Sequence, residues 1–202
     1  MFKQIYNGKI LTPAGWLEHG SVLVEGNKIV QVLNTDLPLA DAELIDAKGA
    51  YIVPGGIELH VHGGGGRDFM ECTEEAFRTA VETHIQYGTT AIYPTLSTYT
   101  VEGYEKAIAT AQKMMAEPDS PIMGLHFEGP YFSKKMAGAQ RPEWITDPIP
   151  EDYNRLLKSG VVKRWDIAPE LPGAKEFIQA CCANGCKPCI GHTAATPEDV
   201  DM

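Results

Sequence analysis

Short apolar runs alternate with helical segments from Pro54 onward, and this alternation constrains the fold more than any other feature of the chain. Five runs have the character of buried strands: 57–62, 89–95, 121–127, 164–168 and 187–191. Helical segments lie between them: one that begins at Thr73, and others at about 101–117, 151–158 and 174–183. Strands that alternate with helices form parallel sheets, because each parallel connection needs a crossover. The pattern therefore predicts an α/β domain.

Two parallel architectures fit this alternation, an open doubly wound sheet and a TIM barrel. The chain contains neither GxGxxG nor GxxxxGK[ST], the glycine motifs of nucleotide-binding open sheets. The four glycines at 63–66 lack that spacing, and two histidines stand just before them. The usual sequence motif of an open nucleotide-binding sheet is therefore absent. The periodicity alone does not distinguish an open sheet from a TIM barrel.

Residues 1–53 differ from the rest, because they contain short strands and no helical period. The runs 21–25 and 28–32 flank Gly26 and Asn27, which is a β-hairpin signal. We expect a small β-sandwich-type module, or part of one, over residues 1–53. The α/β domain then occupies residues 54–202.

Composition excludes several classes of protein. The formal net charge of −10 argues against a nucleic-acid partner, because phosphate backbones attract basic surfaces. No apolar run approaches the ~18 residues of a membrane helix, and no signal peptide is visible. Five cysteines are too few for a disulfide scaffold. We expect a cytoplasmic protein that has no membrane partner.

The main chemical clue is the strand that carries His60 and His62. Residues i and i+2 of a strand point to the same face, so both imidazoles can reach one ion. Neutral imidazole is a good ligand for zinc and iron. An accidental pair on an exposed strand is the alternative for such a short motif.

Two later strands end in similar chemistry. Glu128 follows an apolar strand, where a buried carboxylate needs a cation or several donors to stay ionised. His192 follows the fifth strand. We expect His126, two residues before Glu128, to be a hydrogen-bonded core histidine or a supporting residue. Strands one, three and five thus predict a metal cluster of His60, His62, Glu128 and His192.

Two other groups have alternative interpretations. Cys186 and Cys189 form a CxxC pair, which can mark zinc, but no second pair is present. We expect Cys181 and Cys182 to lie on the apolar face of their helix. A basic cluster of Lys134, Lys135 and Arg141 is either a solvated loop or a patch that holds an anionic substrate.

Three segments together resemble one known family. They are PGGIELHVHG at 54–63, GLHFEGPYFSKKMAGAQRPE at 124–143 and GHTAAT at 191–196. They resemble the N-acetylglucosamine-6-phosphate deacetylases of the amidohydrolase superfamily. The His-x-His strand alone indicates only an amidohydrolase, whereas the Glu-Gly-Pro segment and the residues after it are more specific.

The resemblance implies a TIM barrel, of which this chain supplies about five βα units, and a β domain built from both chain ends. It implies hydrolysis of N-acetylglucosamine 6-phosphate to glucosamine 6-phosphate and acetate, with one or two zinc or iron ions. Glu128 and His192 match metal ligands, and His60 and His62 match a pair that holds a second metal in some members. Ala139 and Gln140 match a pair that contacts the substrate, although many relatives have His in place of Gln140.

The resemblance also places the catalytic Asp, one further metal-ligand His and the phosphate-binding residues beyond Met202. We therefore expect the front part of a longer protein, inactive by itself and homodimeric at full length. Its partner would be a small phosphosugar substrate. The alternatives are another amidohydrolase, such as a cyclic-amide hydrolase or a deaminase, and an inactive metal-binding fragment.

Overall fold

The structure is a computed structural model that describes residues 1–201. It contains two compact units, of which the first spans Met1–Gly55 and the second begins at Gly56. The sequence places this boundary at Pro54. Within residues 1–201, no helix combines the length and the apolar character needed to cross a bilayer.

The first unit is one five-stranded mixed sheet. Its strands are β1 (Phe2–Thr12), β2 (Gly15–Glu25), β3 (Lys28–Leu33), β4 (Ala42–Asp46) and β5 (Tyr51–Ile52). The order is β3-β2-β1-β4, and β5 also pairs with β1. The predicted hairpin is β2–β3, which pairs antiparallel around a turn where Gly26 has φ +58°.

The second unit is built on a five-stranded parallel sheet with helices in its crossovers. Its sheet strands are β6 (Gly56–Val61), β9 (Thr89–Leu96), β10 (Leu125–Phe127), β11 (Val162–Ile167) and β12 (Lys187–Ile190). Its helices are α1 (Glu74–Ile85), α2 (Val101–Met115), α3 (Pro150–Leu157), α4 (Ala174–Ala183) and α5 (Pro197–Val200). A small hairpin of β7 (Gly63–Gly64) and β8 (Arg67–Asp68) lies between β6 and α1.

The strand order decides between the two architectures that the sequence leaves open. The sheet runs β12-β11-β10-β9-β6, which is the order of the strands along the chain. A doubly wound sheet reverses its order at a switch point, whereas consecutive βα units of a barrel do not. The expectation of about five barrel units is therefore confirmed.

An aromatic core under the sheet supports the loop that follows β10. Trp165 is fully buried and packs against Phe127, Tyr131 and Phe177, with ring centroids 5.0–5.6 Å apart within this group. Its indole N–H donates to the carbonyl of Gly129 at 2.7 Å. A large rigid side chain thus fixes the backbone directly after Glu128.

Candidate metal centre

The four predicted ligands lie at one edge of the parallel sheet. His60 is in β6, Glu128 directly follows β10 and His192 lies two residues after β12. The carboxyl ends of parallel strands share an edge, so residues far apart in sequence become neighbours. Glu128 and His192 are 64 positions apart in the chain, yet their side chains are in contact.

The imidazoles of His60, His62 and His192 surround the carboxylate of Glu128. The Nε2 atoms of His60 and His192 lie 3.4 and 3.3 Å from Glu128 Oε1. His62 Nε2 is 3.2 Å from Oε2 and 3.1 Å from His60 Nε2. All three imidazoles thus contact Glu128, and the ligand atoms of His60, His62 and Glu128 also lie within 4.8 Å of one another.

Local contacts set the orientation of His192. Its backbone has φ +46°, in the left-handed region that few residues other than glycine adopt. The ring lies 4.5 Å from the ring of Phe132, and Nδ1 is 3.0 Å from the carbonyl oxygen of Met136. A carbonyl only accepts hydrogen bonds, so Nδ1 carries a proton and Nε2 is the nitrogen that faces Glu128.

Glu170 holds the loop that follows His192, and the sequence analysis missed this residue. Its carboxylate accepts hydrogen bonds from the Thr193 hydroxyl and from the Ala194 N–H, the latter at 2.7 Å. Burial alone would raise the pKa of Glu170, but these hydrogen bonds outweigh it and lower the pKa. The sequence did contain a signal for Glu170, because it is an acidic residue that follows β11 closely.

The electrostatics keep Glu128 ionised. The residue is only 8% exposed, and burial alone would raise its pKa. The hydrogen bond with His62, the charge of His60 and the hydrogen bond with His192 outweigh burial and lower the pKa to about 2. Burial lowers the pKa of His60, whereas contact with Glu128 raises that of His62.

Gln140 connects this carboxylate to a neighbouring loop. Its side-chain amide donates to Glu128 Oε2 at 3.0 Å, and its carbonyl oxygen accepts the backbone N–H of Thr98 at 2.8 Å. Gln140 and Ala139 also line a cavity of about 350 Å³. The other residues of its wall are Met70, Ser97, Thr98, Tyr99, Arg141 and Trp144. Both residues that the resemblance links to substrate therefore border an open space beside Glu128.

The predicted basic cluster does not form one patch at this cavity. Lys134 and Lys135 are exposed in a short 3₁₀ helix. Arg141 lines the cavity, where its guanidinium lies 4.6 Å from the centre of the Trp144 ring. Only Arg141 of the three lines the cavity.

A second group of metal-ligand types lies deeper in the sheet. It consists of His60, His126 and Asp166, whose candidate ligand atoms all lie within 4.8 Å of one another. His126 is buried and hydrogen-bonded to Thr95, as the sequence analysis expects. Asp166 was missed, although an acidic residue inside an apolar strand is a signal because it needs a partner.

The cysteines lie apart from both groups. Cys181 is buried on the inner face of α4 and Cys186 is buried just after it, whereas Cys182 is exposed. The prediction that Cys182 lies on the apolar face is therefore wrong, because successive helix residues point about 100° apart. Within residues 1–201, the groups of three or more potential metal ligands contain no cysteine.

The donor set at Glu128 fits a divalent cation. His192 Nε2 faces a carboxylate oxygen of Glu128 at 3.3 Å, and in the neutral imidazole that donates from Nδ1 to Met136 this nitrogen carries the lone pair that a cation accepts. Three imidazole nitrogens and a carboxylate are ligands that zinc and iron accept. The outer side of the group is accessible, since the side chains of His60 and His62 are 38% and 41% exposed.

Comparison with known proteins gives a consistent result. The model of the amidohydrolase family matches residues 51–201. The chain is 30% identical over 203 residues to the N-acetylglucosamine-6-phosphate deacetylase of Haemophilus influenzae, covering 96% of the chain and 51% of that relative. It is 29% identical over 196 residues to the N-acetylgalactosamine-6-phosphate deacetylase of Shewanella sp. (strain ANA-3), covering 95% and 50%.

Solved structures are similar over the whole chain. The crystal structure of N-acetylglucosamine-6-phosphate deacetylase from Pasteurella multocida superposes with a TM-score of 0.93 at 28% identity. The match covers 100% of this chain and 53% of that one. The chain thus spans about half the length of the curated relatives it matches.

Proposed function

The chain belongs to the amidohydrolase family, and we propose that it carries the metal-binding part of an amino-sugar-phosphate deacetylase. The reaction is hydrolysis of N-acetylglucosamine 6-phosphate to glucosamine 6-phosphate and acetate. The observation that carries the proposal is the convergence of three imidazoles on the buried carboxylate of Glu128. The names of the similar proteins support the choice of substrate.

In this proposal His60, His62, Glu128 and His192 hold one or two divalent ions, zinc or iron. Such an ion supplies Lewis acidity, which polarises an amide carbonyl and lowers the pKa of water. Glu128 would offer an oxygen to one ion or to two, because Oε1 faces the imidazoles of His60 and His192 and Oε2 faces that of His62. One ion and two ions are therefore both compatible with the donor set.

The chain's own residues fix the geometry for this chemistry. Gln140 donates to one oxygen of Glu128, which limits rotation of the carboxylate. Met136 fixes the ring of His192 through its Nδ1 proton. Ala139 and Gln140 border a cavity in which the sugar would lie, and Gln140 also contacts Glu128.

A second candidate function differs only in the sugar. The Shewanella relative is named for N-acetylgalactosamine 6-phosphate and is similar at the same level of identity. The two sugars differ in configuration at one hydroxyl group. Both sugar phosphates are therefore included in the test.

The decisive experiment measures acetate release by the purified protein after loading with zinc or iron. The panel contains N-acetylglucosamine 6-phosphate, N-acetylgalactosamine 6-phosphate, N-acetylglucosamine without phosphate, and a cyclic amide. We expect the whole protein to turn over a 6-phosphate and residues 1–202 alone to be inactive. A preference of the whole protein for the cyclic amide or a deamination substrate would overturn the proposal. Loss of turnover and of bound metal in Glu128→Gln, with both retained in the exposed control Glu102→Gln, would tie activity to this site.

The proposal extends to assembly and location. We propose a cytoplasmic homodimer for the whole protein. Light scattering of the purified protein tests the dimer, and a monomer at micromolar concentration would contradict it. Metal analysis of protein purified without added metal would identify the ion.

A further inference from the structure

A buried polar cluster lies under the candidate metal centre and outside its four residues. It consists of Thr95 from β9, His126 from β10, and Arg164 and Asp166 from β11. Thr95 and His126 are fully buried and Asp166 is 5% exposed, whereas the side chain of Arg164 is 26% exposed. Burial of this many polar groups costs stability unless they are paired, so the cluster needs a physical reason.

The ring of His126 has a close polar neighbour at each of its nitrogens. Nδ1 lies 3.0 Å from the Thr95 hydroxyl, and Nε2 lies 3.0 Å from Asp166 Oδ1. The second contact is close but not aligned as a hydrogen bond, since both atoms lack a hydrogen-bond partner. Arg164 Nε lies 3.6 Å from the same oxygen and compensates its charge.

The cluster contacts His60 on its ring and on the backbone to either side. The rings of His60 and His126 meet edge to face, with centroids 4.7 Å apart at 77°. Arg164 Nη1 donates to the carbonyl oxygen of Leu59 at 3.3 Å. The N–H of Val61 donates to the Thr95 hydroxyl at 2.9 Å.

The backbone around His60 needs this support because its strand pairing is interrupted. The register of β6 on β9 shifts between Glu58 and Val61, so Leu59 and His60 have no partner in the ladder. Val61 lies opposite Pro94, which has no N–H to donate. The side chains of the cluster replace the missing ladder contacts.

We propose that Thr95, His126, Arg164 and Asp166 are positioning residues that fix the imidazole of His60 against Glu128. This inference rests on the proposed metal-binding role of His60. Although His60, His126 and Asp166 form a group of ligand types, Arg164 beside Asp166 disfavours a dication there, because its charge would repel the ion. The cluster therefore acts on the outer site through His60 and does not take an ion itself.

The test measures Co²⁺ binding to the purified protein by titration, with the visible absorption spectrum and the stoichiometry as readouts. Thr95→Val removes the hydroxyl at constant size, and Asp166→Asn removes the charge. Both should weaken Co²⁺ binding by about 10–100-fold, as loss of an outer-shell partner does. Both should also shift the absorption spectrum at unchanged stoichiometry. Thr95→Ser retains the hydroxyl and should restore wild-type affinity, and Glu102→Gln serves as a surface control.

Three results would overturn the inference. Wild-type affinity and spectrum in both variants would mean that the cluster does not position His60. Loss of one Co²⁺ per chain in Asp166→Asn would make Asp166 a ligand. Equal weakening of Co²⁺ binding by Thr95→Val and Thr95→Ser would mean that Thr95 contributes only packing and not its hydroxyl group. If the wild-type protein bound no Co²⁺ at all, the proposed function itself would fail, and that result is separate from these three.

Discussion

Replacing Gln140 by leucine should destabilise the protein and loosen its metal site together. Gln140 is 7% exposed and makes two hydrogen bonds, one to the charged Glu128 and one from the N–H of Thr98. Leucine has a similar volume but makes neither. Thr98 is 2% exposed, so water would not easily replace the lost acceptor.

The size of the effect follows from these contacts. Loss of a hydrogen bond to a charged group costs ~1.5–3 kcal/mol, and an unsatisfied buried N–H costs ~1–3 kcal/mol. Burial of the leucine side chain offsets part of this, which leaves a decrease of ~2–4 kcal/mol in the free energy of unfolding. At ~2–4 °C per kcal/mol for a chain of this length, the melting temperature should fall by roughly 4–16 °C.

The assay is thermal unfolding of the metal-free protein, followed by Zn²⁺ titration. Because Gln140 orients Glu128, the variant should also bind Zn²⁺ about 10–100-fold more weakly. Gln112→Leu is the matched control, since Gln112 is exposed on α2; it should change stability by less than ~0.5 kcal/mol. An unchanged melting temperature in Gln140→Leu would refute the assignment of the two hydrogen bonds.

Three further predictions concern the same unit. Glu170→Gln should weaken Zn²⁺ binding through the loop of His192, while the metal-free melting temperature changes little; an unchanged affinity would contradict this role. Zn²⁺ binding at pH 6.5 should release protons to the buffer, because contact with Glu128 raises the pKa of His62 and a metal-bound imidazole is deprotonated. Titration calorimetry in buffers of different ionisation enthalpy would show it, and no release would place that pKa lower. Cys186→Ser and Cys189→Ser should keep the metal content, measured by elemental analysis, at a cost of ~1 kcal/mol in stability; loss of metal would indicate a cysteine ligand.

Patterns within single elements predicted the units of this fold. The alternation of strands and helices predicted the parallel sheet, and the Gly26–Asn27 dipeptide predicted the β2–β3 hairpin. A helix was predicted to begin at Thr73, and Thr73 is the N-cap of α1, where its hydroxyl accepts the N–H of Ala76. These signals are local, because strand and helix periods are properties of neighbouring residues.

The candidate site could be predicted only in part from such local patterns. His60 and His62 were expected to share a face because they are two residues apart in a predicted strand, so their pairing is local. Glu128 and His192 were identified by their position at strand ends, and parallel strands bring such ends to one edge. Cys182 was assigned to the wrong face, because an apolar character does not say which side of a helix a residue occupies.

The sequence by itself determined the strands and helices, and it placed the candidate metal ligands at the carboxyl ends of the strands. Only the tertiary structure decided that Gln140 reaches Glu128, that Asp166 faces His126 and that Glu170 holds the loop after His192. These contacts join residues 12 to 40 positions apart. They depend on the register between neighbouring strands and on loop paths, which local periodicity does not encode.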